Sequence, residues 1–301
     1  MEKVIVITGP TAVGKTKLSV KIAKELNTEI INSDAYQVYI GLNIGTAKVK
    51  EEDKEGVKHH LLDIIEPSKE FSVYDYQKIT RDKISEFIKY NKIPILVGGS
   101  GLYIDAVVKN YNFNEEKRDS ELENQTKDLS NEELHQLLVS LNPDKANEIH
   151  PNNRKRVLRA IELEQSNIDS EQRTKKNEPF YDSLIIFLND DRDALYERIN
   201  NRVDQMINEG LIEEAKYFYD NNLLSKTSKA TIGYKELFEY FDNKISLDEA
   251  IDLIKKNSRH YAKRQITWFN NKEDVIKVKI NVNDFDQTIN EVKNLIIEFL
   301  K

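Results

Sequence analysis

The chain contains no cysteine in 301 residues. That excludes a disulfide framework, a thiolate zinc site and a cysteine nucleophile. No apolar run approaches the ~18 residues of a membrane-spanning helix, so no membrane association is expected. Strand-like residues begin close behind Met1, leaving no room for a signal peptide and making the cytoplasm the expected location. Internal repeats and low-complexity tracts are also missing. A positive balance is lacking too: the formal charge of -7 argues on totals against nucleic acid, although local clusters decide that question. What is left is 39% hydrophobic and 32% charged, the balance of a globular protein with one large or two ordinary domains.

The most informative segment present is Gly9-Pro10-Thr11-Ala12-Val13-Gly14-Lys15-Thr16, which has the spacing of a phosphate-binding loop. Residues 4–7 before it predict a strand and 18–26 after it a helix, the context in which that spacing carries meaning. Glycines let backbone N–H groups turn inward, and the helix N-terminus adds partial positive charge. Lys15 is placed to reach a terminal phosphate, and Thr16 to offer its hydroxyl to Mg2+. The loop alone does not say whose phosphates it holds, and a plain Gly-rich turn is the rival reading.

Residues 29–32 read as a second strand, 74–90 as a helix, 93–97 as a strand buried on both faces and 184–188 as a further strand. Right-handed crossovers place these strands in one parallel sheet flanked by helices, an α/β fold with its sites at the strands' C-terminal ends. Between 114 and 179 the residues turn highly charged and helix-forming. Amphipathic patterns over 129–141 and 154–163 are separated by Asn142-Pro143 and Pro151-Asn152-Asn153, and 169–178 reads as a polar loop. The expected organisation is a discontinuous core domain, 1–113 and 180–301, interrupted by a helical insertion at 114–179. Helices dominate after 195, with a late strand over 275–282.

Three further features bear on chemistry. Asp34 follows the second strand and, in a parallel sheet, lies at the same edge as the phosphate loop. A carboxylate there can hold Mg2+ through water, orient a substrate, accept a proton, or only cap a turn. Gly98-Gly99-Ser100-Gly101 closes another strand; Ser100 can bond a phosphate, or the segment is simply a turn. The adjacent His59 and His60 point in different directions, which suits hydrogen bonding better than a shared metal. Lys155, Arg156 and Arg159 fall on one side of their helix and Val157, Leu158 and Ile161 opposite, a pattern whose plain reading is a solvated face.

Taken in order, the phosphate loop, Ser33-Asp34 with Gln37-Val38-Tyr39, Ile44-Gly45-Thr46-Ala47-Lys48, His59-His60-Leu61-Leu62-Asp63 and Gly98–Tyr103 resemble the bacterial tRNA dimethylallyltransferases, the IPP transferase family. Ile149-His150-Pro151-Asn152, Arg156-Val157-Leu158-Arg159-Ala160, Ile232-Gly233-Tyr234-Lys235-Glu236 and Tyr261 through Trp268 continue the match. It spans residue 4 to about 270. The resemblance implies a P-loop NTPase-like fold and transfer of a dimethylallyl group, not phosphorylation. The donor is dimethylallyl diphosphate, held on Gly9 through Thr16 with Mg2+; the acceptor is N6 of the adenosine 3′ of the anticodon in tRNA. It further implies Asp34 as general base, Ser100 near the donor diphosphate, and Arg202, in Arg198-x-x-x-Arg202-Val203-Asp204, gripping the leaving group.

By the same resemblance, tRNA is contacted by Asp34, Ala35, Tyr36 and Gln37, with Gln37 reading an adenine edge through its donor and acceptor. Lys155, Arg156, Val157, Leu158 and Arg159 form a second contact, and Ala230, Thr231, Ile232, Gly233, Tyr234 and Lys235 a third. Lys263, Arg264, Gln265, Ile266, Thr267 and Trp268 form a fourth, although Tyr261, Gln265 and Trp268 share a side at helical spacing, which equally suits a core position for Trp268. The target base must be flipped from its stack to reach the donor. The chain is expected to act as a monomer. It departs from the family pattern at Ala35, where relatives carry serine, at Lys58 for proline and at Asn153 for aspartate; none removes a group the chemistry requires. Two rivals stand beside this reading. A P-loop small-molecule or nucleotide kinase would consume ATP, and a non-catalytic RNA-binding protein would not need Asp34.

Overall fold

The computed structural model describes residues 1–111, 113, 120–165 and 178–301. The chain divides into two compact units, one of Met1–Lys109 with Pro179–Lys301, the other of Asn110–Glu178. The loop expected over 169–178 lies almost wholly outside the described residues.

In the larger unit, β1 (Lys3–Thr8) leads into α1 (Lys15–Glu25), then β2 (Ile30–Asn32), α2 (Glu51–Lys54) and β3 (His59–His60). There follow α3 (Val73–Lys89), β4 (Ile95–Gly98) and α4 (Gly101–Val108). The six strands, completed by β5 (Asp182–Asn189) and β6 (Val275–Lys279), are all parallel and run β3-β2-β4-β1-β5-β6. This is the α/β architecture the apolar runs predict. Alternation along β1 shows why those runs are unbroken. Val4 and Val6 join Leu96, Ile185 and Phe187 on one face, while Ile5 and Ile7 join Ile95, Ile186 and Leu188 on the other. With both faces covered, Val4 to Thr8 of β1 are all buried, whereas the edge strand β6 leaves Ile276, Lys277 and Lys279 exposed; each buried Val, Ile or Leu contributes roughly 1.5–3 kcal/mol.

Local signals set the helix boundaries. Ser72 starts α3 by accepting the Asp75 N–H at 3.1 Å, while Asp75 accepts the Ser72 N–H at 2.9 Å. Beyond β5 a long helical stretch shuts one sheet face: α9 (Arg192–Asn208), α10 (Leu211–Asp220), α11 (Tyr234–Phe241) and α12 (Leu247–Asn270). The late strand stops at Lys279, short of 282, because Val282 is 57% exposed and has no sheet to join. α4 was hidden in the sequence: Ile104, Ala106, Val107 and Val108 are all buried, so its eight residues show no helical alternation.

The smaller unit has its own core. Its helices among the described residues are α5 (Ser120–Gln125), α6 (Asn131–Leu141), α7 (Pro143–Asn147) and α8 (Arg154–Gln165). Leu134, Leu138, Ala146, Val157 and Ile161 pack together. Ser130 caps α6, and Asn142 followed by Pro143 begins α7.

Candidate active site

β1, β4 and β2 end level with one another, Thr8 pairing with Gly98 and Asn32 with Val97. The loops that follow them therefore meet at one sheet edge. The first, Gly9 to Gly14, turns into α1 through Gly14, whose φ of 95° lies in the left-handed region. Lys15 Nζ folds back to donate to the carbonyls of Gly9 at 2.9 Å and Pro10 at 2.8 Å. Arg198 on α9 fastens the loop from outside, donating to the Ala12 carbonyl at 3.2 Å while paired with Asp190 at 2.6 Å.

The second loop carries Asp34. Asn32 Oδ1 accepts the Asp34 N–H at 3.2 Å, and Asp34 Oδ1 accepts the Tyr36 N–H at 2.9 Å. The third loop is pinned to it: Ser33 N–H donates to Val97 O at 2.7 Å, and Ser100 Oγ accepts the Ala35 N–H at 3.2 Å. Gln265 of α12 then joins the first loop to the third. Its Oε1 accepts the Thr11 N–H at 3.1 Å, and its Nε2 donates to Gly99 O at 3.0 Å. Gly99 must be glycine for this, since a Cβ there would lie 2.0 Å from Gln265 Nε2.

The electrostatics single out three groups. Burial pushes Asp34 above the usual carboxylate range, partly opposed by the Tyr36 N–H, then Lys15, the Gln37 N–H and Arg202. Burial and then Arg202 bring Lys15 down to about 8, with Asp34 pulling the other way. Arg202 is likewise lowered by burial and supported by Asp34. Lys15 and Arg202 thus share Asp34, with Glu209, itself paired to Lys50 at 2.8 Å, a weaker second support for Arg202; an anionic ligand would relieve the desolvation of the two cations. Strongly perturbed groups meeting at a sheet's C-terminal edge make this edge the candidate site.

The structure brings the phosphate loop, Asp34, Ser100 and Arg202 to this edge. It redistributes the other expected residues. Gln265 is only 5% exposed and serves as the loop tie, leaving Lys263, Arg264 and Thr267 as the exposed members of that segment. Ile266 packs against Leu195 and Ile199, and the half-buried Trp268 lies over Gly101, whose Cβ would fall 2.4 Å from its ring. Tyr234 is fully buried, as are Thr231 and Gly233 nearly so, and these three lack the exposure an RNA contact needs; Ala230 and Lys235 remain exposed. Val157 is fully buried in the smaller core and Leu158 packs beside it, so α8 presents Lys155 and Arg156 to solvent. Arg159 is half-buried and paired with Glu162 at 2.8 Å.

Gln37 differs from expectation as well. Its Nε2 donates to Thr46 O at 3.1 Å and Ala47 O at 3.3 Å, which leaves Oε1 without a partner among the described residues. The histidines have local partners: His60 Nε2 meets Glu29 at 2.5 Å and His59 Nδ1 meets Val57 O at 2.9 Å. Among the described residues, no group of three or more His, Cys, Asp or Glu side chains could hold a metal. The ties made by Gln265, Arg198 and Glu214 escaped the sequence reading. Gln265 left a trace there through its spacing from Tyr261, and Arg198 only as the first residue of the motif that carries Arg202.

Residues 37–272 match the model of a family described as IPP transferase. A tRNA dimethylallyltransferase of Bacillus velezensis is 48% identical over 281 residues, 91% of this chain and 90% of that protein. One of Halalkalibacterium halodurans is 45% identical over 303 residues, 98% of this chain and 96% of that protein. Among solved structures, the full-length tRNA isopentenylpyrophosphate transferase of Bacillus halodurans superposes with a TM-score of 0.78 at 45% identity, covering 100% of this chain and 97% of that one. A eukaryotic dimethylallyltransferase, described as acting on tRNA, gives a TM-score of 0.80 at 30% identity, covering 93% and 74%.

Proposed function

We propose, for a chain that belongs to the IPP transferase family and has its P-loop NTPase-like fold, that the edge holding Lys15, Asp34, Ser100 and Arg202 carries out dimethylallyl transfer to tRNA. The donor is dimethylallyl diphosphate and the acceptor the exocyclic N6 of the adenosine 3′ of the anticodon. One observation carries this reading: a carboxylate raised by burial stands opposite two desolvated cations beside a phosphate-binding loop.

In the transfer, the bond from the allylic carbon to the diphosphate oxygen breaks and a bond from that carbon to N6 forms. The N6 lone pair is conjugated with the ring, so the amine must shed its proton as the bond forms, and Asp34 takes it. The displaced diphosphate departs with added negative charge, held by the N–H groups of the phosphate loop, Lys15 and Arg202. Lys15 exchanges its contacts with Gly9 O and Pro10 O for phosphate oxygens. Ser100, tied to Ala35, bonds the donor diphosphate through its hydroxyl. Gln37 Oε1 accepts the second N6 hydrogen and so selects an amino group over a carbonyl.

The donor set also bears on the metal. Thr16 offers an exposed hydroxyl at the start of α1, and among the described residues no acidic cage surrounds it. That suits Mg2+, an ion that keeps waters and shares phosphate oxygens with its substrate. When bound, Mg2+ would offset charge on the departing diphosphate. The tRNA is gripped further by Lys155, Arg156 and Arg159 of the smaller unit and by Ala230, Lys235, Lys263, Arg264 and Thr267, whose exposed basic members would meet phosphates. One chain supplies every group named, so a monomer suffices. No helix among the described residues is long and apolar enough to cross a membrane, and we place the enzyme in the cytoplasm with its tRNA.

The test is mass spectrometry of unmodified anticodon stem-loop RNA after incubation with protein, Mg2+ and dimethylallyl diphosphate. A five-carbon unit on adenine is expected. Asp34→Asn should lower turnover by about a thousandfold or more with tRNA affinity kept. Consumption of ATP with no transfer to RNA would return the kinase reading.

A further inference from the structure

The turn over residues 42–47 lies outside the chemistry above, yet it is held in an unusual way. Both carboxylate oxygens of Glu214, on α10, are directed at it. They accept the N–H groups of Asn43 at 3.0 Å, Ile44 at 3.0 Å and Gly45 at 3.1 Å, and also the phenol O–H of Tyr234. Three successive N–H groups converging on one point make a nest for an anion, and the protein fills this one with its own carboxylate. Tyr234 closes the arrangement: it is fully buried, and a Cβ on Gly45 would fall 2.4 Å from its ring.

The turn's other side faces Gln37. With the three N–H groups drawn toward Glu214, the next two carbonyls, Thr46 O and Ala47 O, receive Gln37 Nε2. We infer that Glu214 is a positioning residue for the acceptor base: by seating the turn it fixes the two carbonyls that orient the Gln37 amide. This rests on the reading of Gln37 as a base-contacting residue. A neutral amide at 214 could not do the same, because its NH2 would confront N–H donors.

The test compares steady-state kinetics of Glu214→Gln, Gln37→Ala and the double variant on an anticodon stem-loop. Glu214→Gln should raise KM for the RNA about ten- to hundredfold, with kcat and the donor KM within about twofold. In the Gln37→Ala background the same change should add less than about twofold, since the relay is already broken. A purely structural role predicts instead that the two losses multiply, or that kcat falls while both KM values rise together; either result overturns the proposal. Should Glu214→Gln melt below assay temperature, Tyr234→Phe removes one donor and leaves the nest in place. It should raise the RNA KM about two- to fivefold, and only where Gln37 is present. An unchanged RNA KM in Gln37→Ala would take down the reading of Gln37 and the proposal with it. A loss in Gln37→Ala that Glu214→Gln does not share overturns the proposal alone.

Discussion

Gln265 and Gly99 form a coupled pair whose energetics follow from their contacts. Gln265→Ala removes two hydrogen bonds, to Thr11 N–H at 3.1 Å and Gly99 O at 3.0 Å. At about 1 kcal/mol each, with a further 1–2 kcal/mol for leaving the buried Gly99 carbonyl unpaired, the expected loss is about 3 kcal/mol. Gly99→Ala reaches the same state from the other side. The new Cβ would sit 2.0 Å from Gln265 Nε2, and the flexible amide must swing away, giving up both bonds. Once Gln265 is gone, the remaining neighbour of that Cβ is Gly9 O at 3.3 Å, an approach that needs only a small adjustment. Each single variant should therefore melt roughly 5–10 °C below the parent, and the double variant no lower than Gln265→Ala. Calorimetric melts of the four proteins measure this directly. A double variant whose loss equals the sum of the singles would refute the coupling, as would a Gly99→Ala protein that melts like the parent.

Other outcomes test other contacts. The pH profile of kcat/KM for the donor should be bell-shaped. Activity rises as Asp34 loses its proton above the ordinary carboxylate value of 3.8, and falls as Lys15 loses its own near about 8. The alkaline limb should vanish in Lys15→Met. Stability runs the opposite way for that lysine. Its folded pKa lies below the unfolded 10.5, so its charge costs stability in full below about 8, and the cost fades as pH climbs toward 10.5. Urea midpoints at pH 7 and 10 will detect the rise. Gly45→Ala drives a Cβ into the buried Tyr234 ring at 2.4 Å and should lower stability by about 1–3 kcal/mol while raising the RNA KM, read by melts and kinetics together. Lys155→Ala should weaken RNA binding and flatten the slope of log affinity against log salt by roughly one unit if it holds one phosphate; an unchanged slope assigns it to a solvated face.

Much of this protein was written in local pattern. A strand buried on both faces is a continuous apolar run, and a phosphate loop is a glycine spacing between such a run and a helix; both follow from neighbours in the chain. The ordered motifs pointed to the family, and the family match bears that out. Short or fully buried elements were less legible. β3 has two residues, and α4 buries Ile104 to Val108 in unbroken succession, Asp105 included, so neither displays a period.

Contacts distant in sequence could not be read that way. Nothing in the charged run of α10 marks Glu214 as the partner of a turn about 170 residues earlier, or Gln265 as a tie to Thr11, 254 positions away. Tyr234 and Val157 sit in motifs that suggested RNA, and only packing could show that they point inward. Sequence by itself determined the strands, the helical periods and the glycine-spaced turn from β1 into α1, because those depend on residues a few positions apart. Tertiary structure decided which polar side chains meet and which lose their water, and so which carboxylate is raised and which lysine is lowered, because desolvation depends on everything packed around a group and not on its neighbours in the chain.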